Sequence, residues 1–178
     1  MINSVKSIII AASALAMSVF AAMPSSAQEK VVRYEGSVSV GAGYFEYREV
    51  GGVLHTSHGI RFNREGVRFL YLGLSLEEQL YLGGRPYIPS YTFLSVHAKT
   101  YFPVGARVQA TAGLELGAMR LAAGSVMWSP NLTPSIGVEF LTKGKQAVMI
   151  TARTYINKDS VTGEQPDPGV TLMVGYRF

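Results

Sequence analysis

The sequence predicts an all-β chain: an eight-stranded, antiparallel, up-and-down transmembrane β-barrel. Three observations carry that prediction. Apolar residues recur with a period of two along nearly the whole chain, and beyond residue 28 no segment keeps the i, i+3, i+4, i+7 spacing of an amphipathic helix over three turns. The face opposite the apolar one is glycine, serine, threonine and tyrosine with isolated charges; at 16% charged residues, the chain is too poor in Lys and Glu for that face to be an ordinary wet surface. Finally, each alternating segment is about ten residues long, as a tilted strand needs to be to cross a hydrocarbon layer.

The chain opens with "MINSVKSIIIAASALAMSVFAAMPSSAQEK". A single cation, Lys6, precedes an apolar and small-residue run from Ile8 to Ala22, followed by Pro24, Ser25 and Ala27. This pattern predicts a Sec-type signal peptide, residues 1–27, cut after Ala27, because the run is short for a spanning helix and no cationic stop-transfer flank follows it. The cut leaves residues 28–178, or 151 of the 178, as one outer-membrane β-barrel domain. The chain has no cysteine, which excludes disulfides, thiolate metal sites and cysteine nucleophiles. Without Lys6, fifteen basic residues face twelve acidic ones, a mature charge of +3. They are scattered singly and form no basic stripe, so no nucleic-acid partner is expected.

Two weaker segments come first, Tyr34 to Glu46 and Val53 to Asn63. In "VRFLYLGLSLEEQLYLGG", Leu70, Leu72, Leu74, Leu76, Leu80 and Leu82 oppose Tyr71, Gly73, Ser75, Glu77, Gln79 and Tyr81. Glu78 breaks the pattern and marks where that strand leaves the apolar zone. From Thr92 to Phe102, Leu94, Val96, Ala98 and Phe102 oppose Ser95, His97, Lys99 and Tyr101. From Ala106 to Ala118 the even positions are all apolar, while the odd ones include Arg107, Gln109, Thr111 and Glu115. "SVMWSPNLTPSIGVEFLT" alternates as well, but Pro130 and Pro134 predict a bulge or irregular rim within it. Ala147 to Tyr155 is a third weak segment, and the eighth and clearest sets Val170, Leu172, Val174, Tyr176 and Phe178 against Thr171, Met173, Gly175 and Arg177.

With the apolar faces outermost against lipid, the mixed faces line an interior that an eight-strand closure leaves just wide enough for side chains to fill. Buried ions need partners, so Glu35, Glu77, Glu115 and Glu139 are expected to meet Arg61, Lys99, Arg107, Arg153 and Arg177 there. Inward glycines, Gly41, Gly43, Gly73, Gly113, Gly117, Gly137 and Gly175, relieve the crowding. Short connections at 63–66, 103–105 and 142–145 alternate with longer ones at 46–52, 83–90, about 121–125 and 157–168. That asymmetry places the short turns and both termini in the periplasm. The expected product is a monomer in the bacterial outer membrane, surrounded by outer-membrane lipid and lipopolysaccharide. Tyr44, Tyr87, Tyr91, Trp128 and Tyr176, near strand ends, read as interfacial anchors.

The passages "TSHGIRFNREGVRFLYLGLSLE", "NLTPSIGVEF" and "GVTLMVGYRF" resemble the small outer-membrane β-barrel domain proteins, OmpA- and OmpX-like, that are common in Bacteroidota. That family has a "GYxFN" hairpin, a "PSIGV" strand and an aromatic end; here Gly59, Ile60, Phe62 and Asn63 occupy the first motif, with Ile60 and Arg61 departing from its Tyr-containing form. The resemblance covers 31–178 and implies a fold and a location, but no settled activity and no catalytic residues. Leu172, Val174, Tyr176 and Phe178 also resemble the C-terminal signal read by the barrel assembly machinery, which makes that machinery the expected partner during biogenesis.

One stretch, "HTSH" at 55–58, suggests chemistry. Outer-membrane barrels that deacylate lipid A carry a His-x-Ser pair with an orienting carboxylate, and His55 and Ser57 reproduce the spacing. The pair falls on the second strand and on its interior face, however, and a two-residue match is common by chance. Ordinary interior residues are the preferred reading. A metal site from His55, His58 and His97 fails because His55 and His58 point to opposite faces of a strand. No catalytic, metal or cofactor site is therefore assigned. The sequence reads as a structural or surface-interaction barrel, with a narrow channel and a lipid-modifying enzyme using His55/Ser57 as alternatives.

Overall fold

The computed structural model describes residues 32–44, 50–64, 67–81, 91–123, 125–142, 146–157 and 169–178, with positions 63, 64, 67–69, 81, 121–123, 125–129 and 157 described by their backbone alone. Residues 1–27, Tyr87, the side chain of Trp128 and most of the longer connections lie outside the described residues.

Eight strands form one sheet: β1 (Val32–Tyr44), β2 (Val50–Arg64), β3 (Val67–Tyr81), β4 (Tyr91–Pro103), β5 (Val108–Ala123), β6 (Ser125–Leu141), β7 (Ala147–Asn157) and β8 (Gly169–Arg177). Each pairs antiparallel with its chain neighbours, and β8 pairs with β1, closing the barrel without a crossover. Phe178 supplies a last rung to that closure. Its N–H donates to Gly36 O at 2.9 Å and its carbonyl accepts from Gly36 N at 3.0 Å.

The alternation sorts as the sequence predicts, and it is the inverse of a soluble barrel. Along β8, Val170, Leu172, Val174 and Tyr176 are exposed, whereas Thr171, Met173 and Arg177 are buried. At mid-chain, Leu74 is 60% and Leu116 63% exposed, while Glu77 and Glu139 are each 1% exposed. An exterior this apolar has a favourable environment only if something apolar covers it.

Two expectations about irregularity need correction. The β5–β6 connection is not a longer loop: pairing runs to Ala123↔Ser125, so β5 extends well past Ala118, where the segment read from the sequence ended. Nor does β6 carry a bulge. Pro130 and Pro134 take outward positions and stay in register with Ala118 and Leu114 of β5. Toward β7 the pairing lapses at Thr133 and Pro134 and resumes in the same register, as a proline without an N–H requires. The register shift in the sheet lies elsewhere, between Phe62 and Asn63.

Interior space is tight where glycines face inward. A Cβ on Gly137 would lie 2.7 Å from the backbone oxygen of Ile150 and 2.9 Å from Thr111 Oγ1. Gly137→Ala should therefore cost about 1–3 kcal/mol, because the backbone of β7 cannot yield as a side chain would. Gly105→Ala, in the β4–β5 turn with nothing within 4 Å of its Cβ, should cost nothing measurable. Urea unfolding midpoints of the two refolded variants check both.

Candidate functional site

The interior is filled in layers. At the end away from the termini, Tyr91, Phe93 and Tyr155 pack with Val53 and Met173, the Phe93 and Tyr155 rings 5.5 Å apart. Tyr91 is therefore not an interfacial anchor. As the partner in phase with Phe93 and Ser95 on β4 it points inward and is 9% exposed. Tyr44 and Tyr176, by contrast, face outward and are exposed.

At the terminal end lies a cage of charge. Lys99 Nζ sits between Glu35 Oε1 at 3.3 Å and Glu139 Oε1 at 3.2 Å. Arg177 joins the same two carboxylates, with Nη1 3.1 Å from Glu35 Oε2 and Nε 2.9 Å from Glu139 Oε2. Arg61 reaches Glu35 at 3.5 Å and stacks 4.0 Å over the Tyr101 ring, whose hydroxyl donates to Glu35. Gln109 donates to Glu139 at 2.7 Å. Every carboxylate oxygen in this layer has a donor, as buried acceptors in a narrow lumen require.

Between these layers, Arg153 from β7 bridges two carboxylates. Nη1 donates to Glu77, and Nη2 lies 2.7 Å from Glu115 Oε2. Gln79 completes Glu77 at 2.7 Å, and Ser75 donates to Glu115 Oε2 at 2.7 Å. Glu115 Oε1 is left facing two imidazoles, His55 Nε2 at 3.2 Å and His97 Nδ1 at 3.7 Å. Beside them opens a cavity of about 30 Å³, lined also by Ser37, Ser39, Thr111 and Ser135.

Thus the structure brings Glu35, Arg61, Glu77, Lys99, Glu115, Glu139, Arg153 and Arg177 into one lumen. Arg107 is not among them, and this corrects its expected place in the network. It has inward parity, but it sits exposed in the turn before β5, where its carbonyl accepts from Leu141 N at 2.8 Å. His55 and Ser57 share the interior face but do not engage each other: Ser57 Oγ lies 2.8 Å from Ser37 Oγ. His58 is on the outer face, 2.6 Å from the Tyr34 hydroxyl and beside the Phe178 ring. The exclusion of a His55/His58/His97 metal site therefore stands, yet the sequence reading missed that Glu115 takes the place it had offered to His58. A signal for this existed. The β4–β5 turn fixes the hairpin register, and counting back from it pairs His97 with Glu115.

No protein-family model matches the chain, and no curated protein matches it in sequence. Among solved structures, Neisserial surface protein A is similar with a TM-score of 0.66 at 16% identity, over 83% of this chain and 98% of that one. The outer membrane enzyme PagL is similar with a TM-score of 0.53 at 13% identity, over 81% of this chain and 98% of that one. At these identities the likeness is one of fold: this chain has the fold of the small eight-stranded outer-membrane β-barrels.

Proposed function

We propose that this chain is a monomeric integral protein of the bacterial outer membrane, with a structural or surface-interaction role and no catalytic activity. The observation that carries the reading is the inversion itself: a belt of exposed Leu, Val and Ile around a lumen closed by ion pairs and aromatic rings. Lipid and lipopolysaccharide are the natural cover for such a belt. The fold likeness to Neisserial surface protein A and to PagL supports the location. Residues 1–27 act on this reading as a Sec signal peptide, and Leu172, Val174, Tyr176 and Phe178 as the signal met by the assembly machinery.

Two features favour a non-enzymatic, non-conducting role. Ser57, the only nucleophile that the sequence offered, is 1% exposed, turned into the lumen and hydrogen-bonded to Ser37, where no lipid ester reaches it. Lys99, Arg177 and Arg153 each bridge two carboxylates across the interior, so an ion could pass only by breaking several buried pairs at once. Cell fractionation with a heat-modifiability gel tests the proposal. The protein should be recovered with the outer membrane as a species that migrates faster unboiled than boiled; recovery in the soluble periplasm overturns it.

A further inference from the structure

We propose that His55, His97 and Glu115 form a three-ligand site inside the barrel for one divalent transition cation of the Zn²⁺ class. The inference concerns the lumen alone and does not depend on the role proposed above.

The ligand atoms are already gathered. One nitrogen from each histidine and one oxygen of Glu115 lie within 4.8 Å of one another. A tetrahedral zinc ion with bonds near 2.0–2.1 Å sets its ligand atoms about 3.3 Å apart. The His55 Nε2 to Glu115 Oε1 edge is 3.2 Å, and the His97 Nδ1 to Glu115 Oε1 edge is 3.7 Å. Small rotations of two side chains would bring all three edges to that spacing.

The second histidine is also unsatisfied. Both nitrogens of His97 make no hydrogen bond although the residue is 5% exposed, while His55 Nε2 faces Glu115 Oε1 at 3.2 Å. Leaving a buried group unpaired costs about 1–3 kcal/mol, and in a lumen that satisfies almost every other carboxylate and cation one nitrogen of His97 is left beside Glu115 Oε1 and His55 Nε2. This cluster adjoins the cavity of about 30 Å³, room for about two water-sized species, which gives the fourth coordination position to solvent.

The surroundings are those of a metal ligand. Glu115 Oε2 is held by Ser75 and Arg153, each at 2.7 Å, which fixes the carboxylate and leaves Oε1 as a single free donor. Glu77 and Glu115 share the one guanidinium of Arg153, so two carboxylates and a single strong cation stand beside the imidazoles. The donor set, two imidazoles and one carboxylate, suits Zn²⁺, Ni²⁺ or Cu²⁺ and not Ca²⁺ or Mg²⁺, which take oxygen ligands. Bound there, the ion would tie β2, β4 and β5 together across the lumen.

Because the site lies between the aromatic layer and the charge cage, the ion is best offered during folding. Protein refolded from urea into detergent micelles with ZnCl₂, then freed of excess metal, should retain about one zinc per barrel; His55→Ala, His97→Ala and the milder His97→Gln should each retain less than a tenth of that. His58→Ala, on the outer face, should retain all of it. Refolding with Co²⁺ should give the intense visible bands of a tetrahedral site, lost in His97→Gln. The unboiled gel shift shows that each variant is folded. The proposal is overturned if the folded parent protein retains no zinc, leaving water to pair the imidazoles, or if zinc persists in the interior variants and disappears with His58→Ala.

Discussion

Leu116→Arg is expected to lower the stability of the folded barrel by about 2–4 kcal/mol, the cost of a cation on the lipid face at the bilayer midplane. Leu116 lies midway along β5, 63% exposed, with Val96 and Leu132 directly opposite on the neighbouring strands, so the new guanidinium finds no polar neighbour there. The sign of the result is what makes it decisive. In a water-soluble barrel an arginine at so exposed a position would change stability by no more than about 0.5 kcal/mol. Val104→Arg supplies the depth control: Val104 is 71% exposed but sits in the β4–β5 turn at the rim, where the expected cost is about 0–1 kcal/mol. Reversible urea unfolding in lipid vesicles measures both. Equal and negligible effects at the two positions would mean that no hydrocarbon surrounds the strands.

That test addresses the feature most legible in the sequence. Period-two alternation assigns each side chain to one of two faces, and the poverty of the mixed face in Lys and Glu says which face is enclosed. Parity alone therefore sends Glu35, Glu77, Glu115, Glu139, Lys99, Arg153 and Arg177 inward, where the structure has them. Parity does not say where a strand stops. Arg107 has the parity of Gln109 and Thr111, but the chain has already left the sheet at that position, so its side chain is free to turn to the rim. Tyr91 fails in the opposite way. Its place at a strand end points to a girdle, although its phase with Ser95 and His97 places it in the lumen.

The meeting of particular side chains was less legible still. Alternation is a local property, whereas the contact between Arg177 and Glu35 spans 142 residues and exists only because β8 closes on β1. His97 and Glu115 can be paired from their hairpin, but His55 reaches them from β2, and its height in the barrel depends on the register of two further hairpins and on the bulge after Phe62. A one-residue slip anywhere in that series would separate the three. The prolines of β6 show a related limit. A proline is costly in a central strand of a soluble sheet, yet Pro130 and Pro134 keep their register toward β5, and the missing donors are absorbed by a short lapse toward β7.

Arg153→Met should cost more than any single change in the terminal cage, about 3–5 kcal/mol, the range for removing one partner from a buried ion pair. Arg153 is 4% exposed and is the only cation within ion-pairing distance of Glu77 and of Glu115 among the described residues, apart from the two histidines beside Glu115. Its loss leaves Glu77 and Glu115 without a guanidinium partner, with neutral donors such as Gln79 and Ser75 in its place. Methionine fills much of the same volume, so the loss reports on charge and not on a cavity. Arg177→Met makes the comparison. Glu35 and Glu139 would keep Lys99 and donors from Tyr101 and Gln109, and the expected loss is clearly smaller. A double-mutant cycle isolates the pair. Glu77→Gln should be costly in the parent, where it unbalances Arg153, and close to neutral or favourable beside Arg153→Met, where it removes an orphaned charge, giving a coupling of about 1–3 kcal/mol. Additive losses in the cycle would show that Glu77 and Arg153 do not sense each other, and the layered ion pairing would then be a property of packing alone.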